Sequence, residues 1–187
     1  MNEDSKVGTK IRGAALCREQ RRRCIDHAGN LIAAAERVLA DDNAYSNIVY
    51  HLAILAMEEI GKAGMLASRA VIGAALEGER LQKRLDDHVY KLMWAVWSPS
   101  MSGGKIDPKD FEQARQFAES THARRKAGLY VDYSEDDTLV APSEAVLLSH
   151  ATSLLNLAKS RLELERYAEI PIPDERNEDL EWYRNSW

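Results

Sequence analysis

The 187-residue chain has 45% hydrophobic and 29% charged residues and only five prolines, a composition that suits one globular domain with a real core and excludes wholesale disorder. Its formal net charge of -5 and pI near 5.6 exclude a generally basic nucleic-acid binder, so any such contact needs a local basic patch. Two cysteines are not a disulfide framework, the start Met1-Asn2-Glu3-Asp4 shows no leader, and no apolar run approaches the roughly 20 residues of a membrane span; the expectation is a cytoplasmic protein with no membrane partner.

Residues 1–8 read as a flexible N-terminus, 9–167 as a single helical domain and 168–187 as an acidic C-terminal tail. The first helix should run over 9–40, with the stripe Ile25, Ala28, Ile32, Ala35, Leu39. Cys17 and Cys24 share one of its faces, about 10 Å apart, which suits packing and not an intrahelical disulfide. A second helix fits 44–76, with the stripe Tyr45, Ile48, Val49, Leu52, Leu55, Ala56, Ile60, Ala63, Leu66. Its glycines, Gly61 among them, weaken it locally but let another helix approach closely. A third helix fits 79–97. A loop with Pro99, Gly103 and Gly104 follows, and Asp107-Pro108 opens a fourth helix that reaches about Lys126. Gly128 ends it, 129–133 reads as extended, and Pro142-Ser143-Glu144 opens a fifth helix that runs to Tyr167. The fold class is all-α: an antiparallel bundle of about five helices with a short extended segment near 129–133.

Three groups could carry chemistry. Glu58-Glu59-Ile60-Gly61-Lys62 sits in an apolar stretch, and Glu59, four after Leu55 and seven after Leu52, falls on the apolar stripe. A core-side carboxylate is costly unless paired, and Lys62 can pair with Glu58 or Glu59. The plain alternative is an ion pair at the bundle edge. Arg84, His88 and Lys91, spaced by four and three, lie on one side of the third helix. They could hold a phosphate, with the imidazole moving a proton; they could equally form a solvated face. Arg124-Arg125-Lys126 suits a helix C-terminus, and Tyr130 and Asp132 would share one side of the extended segment, either as a polar contact to a helix or as a loop clamp across the bundle. His27 and His122 are expected at surfaces, and His51 approaches Glu58 two turns on. The sequence has no phosphate-binding glycine loop and no zinc-spaced Cys/His pairs, so no metal and no cofactor are expected.

The run Ala53-Ile54-Leu55-Ala56-Met57-Glu58-Glu59-Ile60-Gly61-Lys62-Ala63, followed by His88 with Lys91 and by Arg125-Lys126 leading into Gly128-Leu129-Tyr130-Val131-Asp132, resembles the AbiV family of abortive-infection proteins in the HEPN superfamily. The three blocks in order cover roughly residues 15–160. The resemblance implies a HEPN-like bundle, a homodimer, and a role in limiting phage infection at the host's expense. Many HEPN domains are metal-independent endoribonucleases with an Arg, four to six residues, then His. Here Arg84 leaves three residues before His88, Arg80 leaves seven, and the residue that leaves four is Lys83. Two functions therefore stand side by side. One is a binding module in which Glu58, Glu59, Lys62, Lys126, Tyr130 and Asp132 form a polar network and a phage or host protein, or RNA, is bound. The other is a ribonuclease in which His88 acts with Arg84 and Lys91, while Glu59 and Lys62 orient them.

Overall fold

The computed structural model describes residues 13–41, 45–72, 79–97, 108–133 and 138–167. The expectations for 1–8, for the loop at 98–105, for the acidic stretch at 135–137 and for the tail at 168–187 lie outside them. The described elements are α1 (Gly13–Asp41), α2 (Ser46–Ile72), α3 (Glu79–Asp86), α4 (His88–Trp97), α5 (Pro108–Ala127), β1 (Asp132–Tyr133), β2 (Leu139–Val140), α6 (Pro142–Ala145) and α7 (Leu148–Tyr167). The fold is all-α and HEPN-like. Its extended segment is one strand of a small antiparallel pair, with Asp132 opposite Val140 and Tyr133 opposite Leu139.

Helix α2 is the central element and packs against α1, α4 and α7. Its composition explains the position: Val49, Tyr50, Ala53, Ile54, Ala56, Met57, Ile60 and Ala63 are all buried, so apolar residues nearly encircle it. Leu52 and Leu55 are only half-buried. The most buried face is therefore rotated from the stripe read in the sequence, and this rotation decides which glutamate goes inside. Around α2 the core collects Trp94 and Trp97 of α4, Ala114 and Ala118 of α5, and Ala151, Leu154, Leu155, Ala158 and Leu162 of α7. Cys17 and Cys24 are buried thiols, not joined in a disulfide, and pack with Ala63 and Leu66, in keeping with a packing role.

Two helices read as continuous are broken, each for a local reason. The third breaks at Asp87, whose carboxylate accepts the Tyr90 backbone N–H at 3.0 Å. Its carbonyl already accepts the Lys91 N–H at 3.0 Å, so Asp87 is the N-cap of α4. The fifth breaks at Val146, which has extended φ and ψ of -122° and 104°. The fully buried Val146 packs against Gly128, where an added Cβ would come within 2.7 Å of its Cγ2. The Val146 carbonyl, lost to any helix, accepts the buried Ser46 hydroxyl at 2.6 Å. Burial and a substitute hydrogen bond thus offset the broken helix.

Gly61 sets a close helix contact. A Cβ there would fall 1.8 Å from the Lys91 carbonyl oxygen and 3.2 Å from the Ala95 nitrogen, so α4 lies directly on the α2 backbone. Both obstacles are backbone atoms, and only glycine fits. Gly61→Ala is expected to destabilise the fold by roughly 3 kcal/mol, the upper end of overpacking costs. At an unobstructed helix site alanine raises stability instead. Urea melts check the sign: a higher midpoint for the alanine variant would show that the helices do not meet there.

Candidate functional site

The close approach at Gly61 places Glu58, one turn earlier on the same face, against α4. Helical side chains lean toward the N-terminus, so Lys91 reaches back from beside Gly61 to the level of Glu58. Glu58 is 3% exposed. Lys91 Nζ lies 3.0 Å from its Oε2, Arg125 NH1 lies 2.6 Å from its Oε1, and His88 Nδ1 lies 2.9 Å from both oxygens. Lys91 is itself buried, and the Arg125 side chain is 15% exposed. One carboxylate thus joins three partners from two other helices.

The buried carboxylate is Glu58, not Glu59. Glu59 lies at the rim, where its Oε1 accepts the Lys62 ammonium at 2.6 Å and its carboxylate takes the Cys24 thiol as a donor. Burial, with the neighbouring Glu59 charge, pushes the Cys24 pKa up to about 12, so the thiol stays protonated and inert. Burial opposes the Lys62 charge, but the hydrogen bond and charge of Glu59 outweigh it and raise the Lys62 pKa. The two adjacent glutamates therefore face different elements: Glu58 faces α4 and α5, and Glu59 faces α1.

The basic trio on the third helix is divided. Arg84 belongs to α3 and stacks over the Tyr90 ring, 4.2 Å from its centroid. Lys91 is a buried counter-ion and not part of a solvated face. His88, at the first position of α4, keeps its side chain 45% exposed while its Nδ1 is held by Glu58. The guanidinium beside His88 is that of Arg125, whose NH1 lies 3.1 Å from Nδ1. The Glu58 and Arg125 contacts both fall on Nδ1, so Nε2 is the ring nitrogen that this cluster does not engage.

His122 is not an isolated surface residue. Its ring stacks on His88 with centroids 5.6 Å apart and planes 19° apart. Its Nδ1 is buried and has no hydrogen-bond partner among the described residues, as is the case for His51. Burial, then the nearby Lys126, His88 and Arg125, hold the His122 pKa below the ordinary histidine range. Burial and Arg125 do the same for His51, against the pull of Glu58. His51 does feel Glu58, as its position two turns earlier suggested. Lys126 is exposed at the end of α5 and acts on His122 by charge. Tyr130 and Val131, 67% and 60% exposed, do not clamp across the bundle; the side chain of Asp132 lies outside the described residues.

The position of Arg125 on α5 carried a sequence signal of its own. Ala114, Ala118 and Thr121 form the buried stripe of α5, and Arg125 continues it four residues on. An arginine on a core stripe needs a buried acid, and Glu58 is that acid. Glu165 follows the same logic: it extends the α7 stripe Ala158, Leu162, is 2% exposed, and pairs with Arg21 of α1 at 2.9 Å.

The family model HEPN_AbiV, described as AbiV, matches residues 16–163, and no curated protein or solved structure matches the chain. Among the described residues no helix is long and apolar enough to cross a membrane.

Two predictions follow from this geometry. Glu58→Gln leaves Lys91 and Arg125 without a buried counter-charge and is expected to cost about 3–5 kcal/mol in urea melts, against about 1 kcal/mol or less for Glu59→Gln at the rim. Equal losses would remove the distinction between the two glutamates. For His51 and His122, a folded pKa below the unfolded value of 6.5 means that the unfolded chain binds more protons. Their contribution is present above pH 6.5 and is lost as pH falls through the folded values. Stability should therefore decline below pH 6.5, and a His51→Asn, His122→Asn double variant should flatten that decline.

Proposed function

The chain belongs to the AbiV family of the HEPN superfamily, a family of abortive-infection defence proteins, and we propose that it limits phage infection by engaging a phage or host component through the surface organised around His88. One observation carries this reading: a buried carboxylate holds an imidazole that stays 45% exposed. The Arg21–Glu165 pair, by contrast, is nearly buried on both sides. Lys91 and Arg125 are committed to Glu58, so the cluster fixes the shape of the surface and His88 presents it. A second copy of the chain and a cytoplasmic setting belong to the same proposal.

A second reading, RNA cleavage without a metal ion, is favoured by a separate observation. His88 has one nitrogen pinned by a carboxylate and the other available, the arrangement that general acid–base chemistry uses. Arg84 stacks on the Tyr90 ring, two residues along α4 from His88. Lys91, buried on Glu58, acts only through that carboxylate.

Phage plating on cells expressing the chain tests the first reading. His88→Ala should lose protection while its melting temperature stays near that of the parent. Undiminished protection would remove His88 from the functional surface. Incubating purified protein with total RNA tests the second: cleavage abolished by His88→Ala supports it, and intact RNA with the parent chain rejects it.

A further inference from the structure

A cavity of about 520 Å³ opens between α3, α4 and α5. That is the size of a small-ligand pocket and far more than the space of one water. Its walls combine flat faces with paired charges. The Tyr90 ring carries the Arg84 guanidinium, 4.2 Å from its centroid. Phe111 of α5 adds a second ring, set edge-on to Trp97. Arg115 and Glu119 continue the α5 wall, joined through Nε and Oε1 at 3.0 Å, and both are exposed. Asp87, the N-cap of α4, brings a second carboxylate.

The cavity leads to the stacked histidines. Phe111, Arg115, Glu119, His122 and Lys126 follow at intervals of four, four, three and four, so they form one ridge of α5. Glu119 lies one turn, about 4.5 Å along the axis, before His122. His122 stacks on His88, and Asp87 immediately precedes His88. The two ends of this path differ in charge. In the cavity two guanidiniums face two carboxylates, which favours a neutral group bearing both donors and acceptors. At the other end Lys126 stands by His122, which suits an anion.

We propose that this cavity binds the guanine base of a nucleotide whose phosphate lies toward His122 and Lys126. This rests on the first reading above, because it names the chemistry of the component engaged at the His88 surface, and it requires no cleavage step. A neutral flat ring stacks on aromatic and guanidinium planes, which Tyr90, Phe111 and Arg84 provide. Guanine presents two adjacent acceptors, O6 and N7, that match a guanidinium. It also presents two adjacent donors, N1–H and the 2-amino group, that match a carboxylate. The cavity holds both kinds of partner: Arg115 beside Glu119 on α5, and Asp87 on α4. The other three common bases lack that pair of donors. A free nucleotide and a base of a single strand offer the same ring, so the source is decided by experiment.

Titration calorimetry of the purified full chain with GMP, AMP, CMP and UMP tests the base. Oligouridylate pentamers with one central guanine or adenine test the source. Guanine should bind roughly tenfold more tightly than adenine, the size of one bidentate contact. IMP lacks only the 2-amino group and should lose the same tenfold, a result that needs no variant. An Asp87→Asn, Glu119→Gln double variant should erase the preference. Asparagine still caps α4 and Glu119 is exposed, so the melting temperature should hold. Selective binding of GMP supports the pocket with a free nucleotide as ligand; selectivity seen only in the pentamers supports it with a strand. Equal binding of all bases, IMP binding as tightly as GMP, or no binding by the parent chain overturns the pocket. Those results leave the first reading standing if His88→Ala loses phage protection. Undiminished protection with guanine still bound overturns that reading and not the pocket.

Discussion

The carboxylate of Glu58 is the point on which three helices agree. It lies on α2, takes Lys91 and His88 from α4, and takes Arg125 from α5. A buried carboxylate is expensive on its own, and so are a buried lysine and a nearly buried arginine; together they are tolerable only in a fixed arrangement. That dependence is geometric. Moving α4 along α2 by one turn would strand all three charges, whereas an apolar interface would tolerate the slip more easily. The cluster therefore specifies register between helices as much as it contributes stability.

Gly61 makes the cluster possible. Without a side chain there, the Lys91 backbone settles onto α2, and Lys91 can reach a carboxylate one turn away. The run Glu58-Glu59-Ile60-Gly61-Lys62 thus has one task per residue. Glu58 binds α4 and α5, Glu59 pairs with Lys62 and meets Cys24, Ile60 enters the core, and Gly61 sets the helix spacing. Asp87 completes the arrangement by starting a new helix, so that His88 sits at its first position, held by Glu58 yet half in solvent.

The same geometry joins structure to the proposed chemistry. Lys91 and Arg125 hold the Glu58 carboxylate in place. Glu58 in turn orients His88, and α5 brings His122 against it one turn before Arg125. A surface imidazole is mobile by default; here its orientation is set from below by a buried ion cluster.

The all-α class and most boundaries of the described helices were legible in the sequence, because apolar periodicity and cap residues such as Gly128 are local properties. So was the importance of the Glu58–Lys62 run, since charges inside an apolar segment are conspicuous at any fold. Which glutamate is buried was not legible. Helix α2 is apolar around most of its circumference, so its sequence does not say which face is innermost; only its packing against α1, α4 and α7 does. That the third helix offers His88 and Lys91 to the acidic pair was legible; that Glu58 receives them and that Arg125 joins was not, for a related reason. His88 and Arg125 lie 30 and 67 residues away, and contacts at such separations depend on helix crossings that one backbone atom at Gly61 can decide. The sequence by itself determined that a charged cluster would need partners; tertiary structure alone decided that those partners were Lys91, Arg125 and His88, because burial depends on what packs against a face and not on the face alone.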